Sequence, residues 1–389
     1  MHRQTLHTSE KHCHPLACFH PDSCRSRVLL FAFLYTLLVQ DISLKIRLLE
    51  FDYLRALAIM LIVLGHSVYN SEKGFPILLE NLIRGGTAVF VFISGFFLHA
   101  VFSKNFELQS FMLKKLKNVY VPFLVVSLLG LTFKVFGWGG IEGLPGDKIG
   151  LNIFHTIKHF YVLYPHWYIP FIMVVFVLSP LFLGFSRLPV WRQLLLLGLF
   201  MLLAVFLHRP HGNANVFQSL LYYTPFYMLG IMYSQYRSWF ETRQRQILLT
   251  AVLLVAGTLV LQTYVWIWVG NYHKSFFGFH GIDLQFIQKI GLCFILLAIC
   301  QMLASRSTPN LWLKEVGDLS FAIFFLHPLF TMAMGNIFPQ LGWQKVPGGA
   351  WLSVMMTLMV FSIHFFGSFY TARLFRSLLP GRSRWLIGA

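Results

Sequence analysis

Charge is what this sequence lacks. Only 12% of its 389 residues are Asp, Glu, Lys or Arg, and just 14 are acidic. A soluble domain carries about a quarter charged residues, so this composition does not supply an ordinary water-facing surface. Cysteine is scarce as well. Cys13, Cys18 and Cys24 fall in an N-terminal tail, and Cys293 and Cys300 in an apolar stretch. No disulfide framework follows, and the last two are expected to be inert packing residues. Metal-hydrolase and nucleotide motifs of the H-E-x-x-H and GxxxxGK kind are missing, which removes support for metal hydrolysis and for ATP use. No repeated block and no long low-complexity run is present, which speaks against a solenoid.

What is present is apolar. Hydrophobic residues make up 57% of the chain and the mean hydropathy is +0.65. Ten stretches near the twenty residues needed to cross a bilayer run approximately over 51–69, 81–102, 118–136, 167–185, 191–207, 216–235, 246–269, 284–304, 319–338 and 350–370. Gly, Pro and charge clusters separate them. Trp138, Trp167, Trp191, Trp239, Trp312 and Trp343 lie near their ends, as interfacial anchors do. The expected fold is therefore all-α: a polytopic membrane bundle of about ten helices.

The net charge of +17 does not point to nucleic acid, because the basic residues sit in short segments between apolar runs. One alternating set holds Lys104, Lys114, Lys115, Lys117, Arg187, Arg192, Arg237, Arg243, Arg245, Arg306, Lys314, Arg373, Arg376, Arg382 and Arg384. The opposite set holds only Lys73, Lys148, Lys158, Arg209, Lys274 and Lys345. The positive-inside rule then puts both ends of the bundle in the cytoplasm. Three regions follow: a basic His/Cys-rich tail with a short apolar segment over 1–47, a transmembrane domain over 48–372, and a basic cytoplasmic tail over 373–389. The apolar segment Val28–Val39 is about twelve residues long, too short to cross about 30 Å of hydrocarbon, and it lacks a signal-peptide cleavage site. It reads as an interfacial or extra helix. The tail histidines and cysteines match no familiar ligand spacing, and His155 and His159 in the connection 137–166 have no evident third ligand. No metal site is expected.

One stretch concentrates the expensive residues. FDYLRALAIMLIVLGHS, Phe51–Ser67, carries Arg55 and His66 in an otherwise apolar helix. Eleven steps at about 100° bring both to within about 20° of one face, about 16 Å apart along the axis. An Arg inside a bilayer costs on the order of 3 kcal/mol even on the lenient insertion scale, and a sequence accepts this for pairing, a wet cavity or chemistry. Asp52, three residues earlier, is placed to hold Arg55 by an ion pair. The same pair would equally serve as a helix-end anchor at the interface. His66 has an unperturbed pKa near 6.5 and suits a general base or an acyl acceptor.

Arg55 and His66 reproduce the R-x10-H pattern of membrane acyltransferase family 3, and the chain resembles that family at further points in family order. VFISGFF at 91–97 is similar to its FFxxSGF segment. KKLKNVYVPF at 114–123 is similar to its basic run ending in Pro. HWYIPFIMVVFVLSPLF at 166–182 resembles its W-[FY]-x-x segment, and SFAIFFLHPLF at 320–330 its S-x-x-[IV]-[FY]-x-x-HP segment. The resemblance covers about residues 50–370 and looks closest to the branch of the polysaccharide intercellular-adhesin membrane protein.

The resemblance implies a multi-pass enzyme of the bacterial cytoplasmic (inner) membrane. It would move an acetyl or succinyl group from acyl-CoA to a hydroxyl of a cell-surface polysaccharide or its lipid-linked precursor, with no bound cofactor. Its site would centre on His66 and Arg55, with Asp52, Ser94, Tyr168, His327, Glu72 and Arg84 in support and Lys114, Lys115 and Lys117 meeting the CoA phosphates. Ser94, Tyr168 and His327 are the candidate oxyanion donors. Ser94 also reads as a helix-packing residue, and His327 as a partner for backbone freed by Pro328. Arg84 would meet an anionic acceptor or snorkel, Lys134 would snorkel, and Glu72 would contact a sugar or support His66. Lys in place of the commoner R-x-x-R leaves a point charge without a bidentate fork. Expected partners are acyl-CoA, the glycan or lipid-linked acceptor, membrane lipid, and a glycan synthase or export complex, with no nucleic acid. Two other readings stand beside the enzyme: an exporter or flippase of a surface glycan with polar residues lining the path, and a structural subunit of a synthase complex.

Overall fold

The computed structural model describes residues 48–133, 150, 162–213, 215–276, 278, 281–340 and 348–389. The N-terminal tail with Val28–Val39, and Lys134, His155 and His159, lie outside the described residues. In chain order the helices are α1 (Leu49–His66), α2 (Ile77–Ile83), α3 (Gly86–Phe102), α4 (Leu108–Lys115), α5 (Val121–Thr132), α6 (Tyr168–Val177), α7 (Ser179–Ser186), α8 (Val190–Leu207), α9 (Val216–Gln235), α10 (Arg237–Thr242), α11 (Gln244–Val260), α12 (Leu284–Ala304), α13 (Leu311–Asp318), α14 (Ser320–Gln340), α15 (Ala350–Leu378) and α16 (Ser383–Leu386). Among the described residues the sole sheet is a two-residue parallel pair, β1 (Arg209–Pro210) with β2 (His273–Lys274).

Among the described residues, six helices are long and apolar enough to cross a membrane, or up to eight if each of two bent pairs is one span. The other two expected stretches are helical but more polar. α1 holds Glu50, Asp52 and Arg55, and α9 is diluted by Gln, Ser, Thr and four Tyr. Both are deeply buried in the bundle rather than lipid-facing, which is where such residues are tolerated.

α1 lies at the centre. It packs against α3, α12, α13, α14 and α15, and Phe51, Tyr53, Leu54, Ala56, Ala58, Ile59 and Val63 are wholly buried. Lipid tails are as apolar as these side chains, so close packing and polar pairing hold such helices together. Phe51 stacks on Phe96 of α3 with ring centroids 3.7 Å apart. Glu50 at the start of α1 pairs with Arg237 at 2.8 Å, tying α1 to α10. The tightest crossing is that of α3 with α9, where Gly95 lies against the Tyr227 carbonyl and Gly230 against the Phe92 carbonyl. A Cβ at either position would enter the opposing backbone.

Several helices differ from their expected outlines, each for a local reason. The second stretch starts at Ile77 and breaks at Arg84, which is extended (φ −75°, ψ 117°), before Gly85 and Gly86. Two consecutive glycines weaken the helix there. The stretch 167–185 bends by 57° at Leu178, where Pro180 has no N–H and crowds the carbonyl four residues back. The basic segment 114–117 is not a loop. It belongs to a helical run from Leu108 to Thr132 that passes through one π turn at Leu116–Tyr120, just before Pro122. α14 is preceded by the short α13 at 72°, and Gly317 at this bend lies against the Asp52 carbonyl of α1. α15 continues to Leu378, through the position where the sequence places the start of the C-terminal tail.

Candidate active site

His66 ends α1 and lines a cavity of about 420 Å³ together with Glu72, Glu80, Arg84, Tyr164, Trp167, Arg209, Asn213, Tyr223, Asn271, His273 and Lys289. The His66 ring is fixed from behind. Its Nδ1 lies 3.5 Å from His327 Nε2, and His327 Nδ1 lies 3.0 Å from the Ile323 carbonyl. A carbonyl only accepts, so His327 Nδ1 carries the proton and its Nε2 accepts. His66 then donates through Nδ1, which leaves the lone pair on His66 Nε2. Sequence reasoning expects Pro328 to free a carbonyl for His327; the carbonyl that His327 binds is instead that of Ile323, one turn back, and Thr331 Oγ1 donates to the His327 carbonyl at 3.1 Å.

Arg84 reaches the same cavity because of the break between α2 and α3. It is ion-paired with the buried Glu80, and its Nη1 donates to the Gly65 carbonyl at 2.9 Å, one residue before His66. Ser71 donates to the same Glu80 oxygen at 2.8 Å. Glu72 stands exposed at the rim with φ 63°, and Asn213, also lining the cavity, has φ 54°. Left-handed backbone at a residue other than glycine costs on the order of 1 kcal/mol or more and gathers at functional sites. His273, on β2, receives no proton at ordinary pH. Burial first, then Arg209, push its imidazole down to about 3, and its Nδ1 meets the Pro210 carbonyl at 2.8 Å.

Arg55, near the other end of α1, lines a different cavity of about 550 Å³ with Ser94, Phe97, Lys114, Lys115, Asn118, Asp318, Arg376 and Arg384. Asp52 is buried and pairs with Arg55 at 3.4 Å, while the guanidinium sits 5.1 Å from the Phe97 ring centroid. Lys115 is held between aromatic faces, its Nζ 5.0 Å from Phe111 and 4.5 Å from Phe176. Arg376 is shared with Glu315 at 2.6 Å. Among its charged side chains cations outnumber the acid, Asp318.

The expected residues thus divide. His66, His327, Arg84 and Glu72 meet at one end of α1, and Arg55, Asp52, Ser94, Lys114 and Lys115 at the other. Lys117 is exposed and lines neither cavity; it lies in the π turn that follows Lys114 and Lys115. Ser94 donates to the Phe90 carbonyl at 2.9 Å, as a packing serine does. Tyr168 lines neither cavity; it is buried and packs on Phe324. His166, beside it, is wholly buried and joins α6 to α14 through Phe325, whose carbonyl is 3.2 Å from Nε2. Among the described residues, no three His, Cys, Asp or Glu side chains converge where a metal could sit. Cys293 and Cys300 are free and buried.

Sequence reasoning missed Arg209, Asn271 and Lys289 in the first cavity, and Asp318, Arg376 and Arg384 in the second. Lys289 carried the one readable signal: a Lys five residues into an apolar span. Arg209 reads as a loop charge until the β1–β2 pairing carries it inward.

A family model described as acyltransferase domain matches residues 48–373. No curated protein and no solved structure matches the chain. A helical bundle with membrane-length apolar helices, a histidine and an arginine in cavities at opposite ends of its central helix, and a family match over most of its length agree: the chain belongs to acyltransferase family 3 and is a membrane acyltransferase that transfers groups other than aminoacyl groups.

Proposed function

We propose that this enzyme carries an acetyl or succinyl group from acyl-CoA to a hydroxyl of a cell-surface polysaccharide or its lipid-linked precursor, across a bacterial cytoplasmic membrane. The observation that carries this reading is the split of α1: Arg55 in one cationic cavity and His66 in another, about 16 Å apart along the helix. Ten helices with both bundle ends in the cytoplasm would put the Arg55 cavity on the side that holds CoA. Its Lys and Arg side chains suit the CoA phosphates. The pantetheine arm is long enough to carry a thioester from there toward His66.

His66 Nε2 then takes the proton of the acceptor hydroxyl. The freed oxygen attacks the thioester carbonyl, and the tetrahedral intermediate collapses with release of the CoA thiolate, which is protonated in turn. His327 positions the imidazole by accepting from Nδ1, and the Arg84 guanidinium, held on the Gly65 carbonyl one residue before His66, is a cation available to the developing oxyanion.

The test compares wild type with His66→Ala and Arg55→Ala at equal membrane levels and analyses extracted glycan for base-labile acyl esters. Loss of esters with normal glycan export is the expected result. Loss of export with unchanged acylation would instead identify an exporter.

A further inference from the structure

The His66 cavity holds more fixed positive charge than a proton transfer at His66 needs. Arg209 is buried, yet its direct partners are neutral: Nη2 donates to Asn213 Oδ1 at 2.9 Å, and the guanidinium sits 5.3 Å and 5.9 Å from the Trp167 and Tyr223 ring centroids. Lys289 is buried too, with Nζ donating to Asn271 Oδ1 at 2.8 Å and lying 5.8 Å from the Tyr222 ring. Among the described residues, neither has a carboxylate within ion-pair distance. The acids nearby are engaged elsewhere. Glu80 holds Arg84 and Ser71, and Asp283 accepts from Phe286 N–H at 2.7 Å as the N-cap of α12, acting on Lys289 only through space.

Two donors also lack partners. The Nε–H groups of Arg84 and Arg209 are buried and bond to nothing in the protein. Leaving a charge buried without a counter-charge costs several kcal/mol, so such an arrangement is built to receive one.

We infer that Arg209 and Lys289, with Arg84, form a subsite for an anionic oxygen group, phosphoryl or carboxylate, that the substrate carries close to the bond being made. The inference rests on the acyl-transfer reading and narrows it to a charged substrate. Arg209 offers the planar fork that phosphoryl and carboxylate groups fit, while Lys289 adds a point charge. Two sources carry this chemistry: the acceptor, through a phosphoryl or uronate group, and the acyl group, through the free end of a dicarboxylic acyl chain.

Binding decides whether the subsite exists. Inorganic pyrophosphate is titrated into nanodisc-embedded protein that carries Lys114→Gln and Lys115→Gln, to weaken the other cavity, and His66→Asn, to prevent turnover. Lys289→Met or Arg209→Gln on this background should weaken binding by about tenfold or more, and Lys289→Arg should restore most of it. Binding that neither substitution weakens overturns the subsite. This measurement does not depend on turnover, so it separates failure of the subsite from failure of the acyl-transfer reading.

Transfer assigns the source. With wild-type protein, kcat/KM is compared for methyl glucoside, glucuronate and glucose 1-phosphate as acceptors, and for acetyl-CoA and succinyl-CoA as donors. A preference for the charged sugars with the acetyl donor assigns the subsite to the acceptor. A preference for succinyl-CoA with the neutral sugar assigns it to the acyl group. The ratio of charged to neutral kcat/KM should fall in Lys289→Met and Arg209→Gln, whereas a folding defect would lower both alike. A ratio that survives both substitutions also counts against the subsite.

Discussion

His327 stands 3.5 Å from His66, Nε2 to Nδ1, although the two lie 261 residues apart in sequence. Because His327 Nδ1 donates to the Ile323 carbonyl, the pair settles which nitrogen of His66 holds a lone pair. His327→Ala should therefore lower kcat by about 10²-fold, within the range typical of a misplaced general base, and leave the KM for acyl-CoA nearly unchanged. His327→Gln, whose amide N–H can still reach the Ile323 carbonyl while its oxygen accepts from His66, should recover part of the loss. Equal losses in the two variants, with a raised KM, would reduce His327 to a packing residue.

Lys115 and Lys117 make a paired test of the other cavity. Lys114 and Lys115 line it and Lys117 does not. Lys114→Gln and Lys115→Gln should each raise the KM for acyl-CoA, by about tenfold where a charge-assisted contact to phosphate is lost. Lys117→Gln should not change it. Steady-state kinetics in nanodiscs at fixed ionic strength checks all three. If Lys117→Gln raises the KM as much as the others, then bulk surface charge and not the cavity is what recruits the donor.

The chemistry at His66 Nε2 is open to a direct trap. A single turnover with radiolabelled acetyl-CoA and no acceptor, quenched in cold acid, should leave the label on CoA, because a general base forms no bond to carbon. Label on the protein that disappears with His66→Ala would show that His66 carries the acyl group itself.

The central helix was legible before any fold was known, because a charged and an ionisable residue eleven apart in an apolar run carry a periodicity that needs no tertiary contact to read. The pairing of Asp52 with Arg55 was readable for the same reason, being one helical turn. The rest of the site was not, and the cause is geometric. Arg209 comes inward only because two residues of β1 pair with two of β2, a non-local contact without a pattern. Arg84 reads as a first-turn residue until the extended backbone ahead of Gly85 turns it toward Gly65. Tyr168 and Ser94 sit in segments that resemble the family, yet Tyr168 lines neither cavity and Ser94 caps its own helix backbone. A motif's spacing carries chain direction, not the side on which a neighbouring helix will pack.

Gly230 and Gly198 offer a test of the framework that holds the site. Both are helical glycines, and replacing a helical glycine by alanine gains about 1 kcal/mol of intrinsic propensity. At Gly198, on α8, a Cβ would meet nothing within 4 Å, so Gly198→Ala should hold or slightly raise the unfolding temperature in detergent. At Gly230 the Cβ would enter the Phe92 carbonyl of α3, and Gly95 across the crossing leaves no slack because it is pressed on the Tyr227 carbonyl in the same way. The two helices would have to separate, and overpacking of this kind costs about 1–3 kcal/mol, more than the propensity gained. Gly230→Ala should therefore lower the unfolding temperature while Gly198→Ala does not. α3 also carries Ser94 and Phe97 at the Arg55 cavity, so the shift should reach the donor side as a raised KM for acyl-CoA. A Gly230→Ala protein as stable as wild type would mean that the crossing has room which the packing of Gly95 and Gly230 denies.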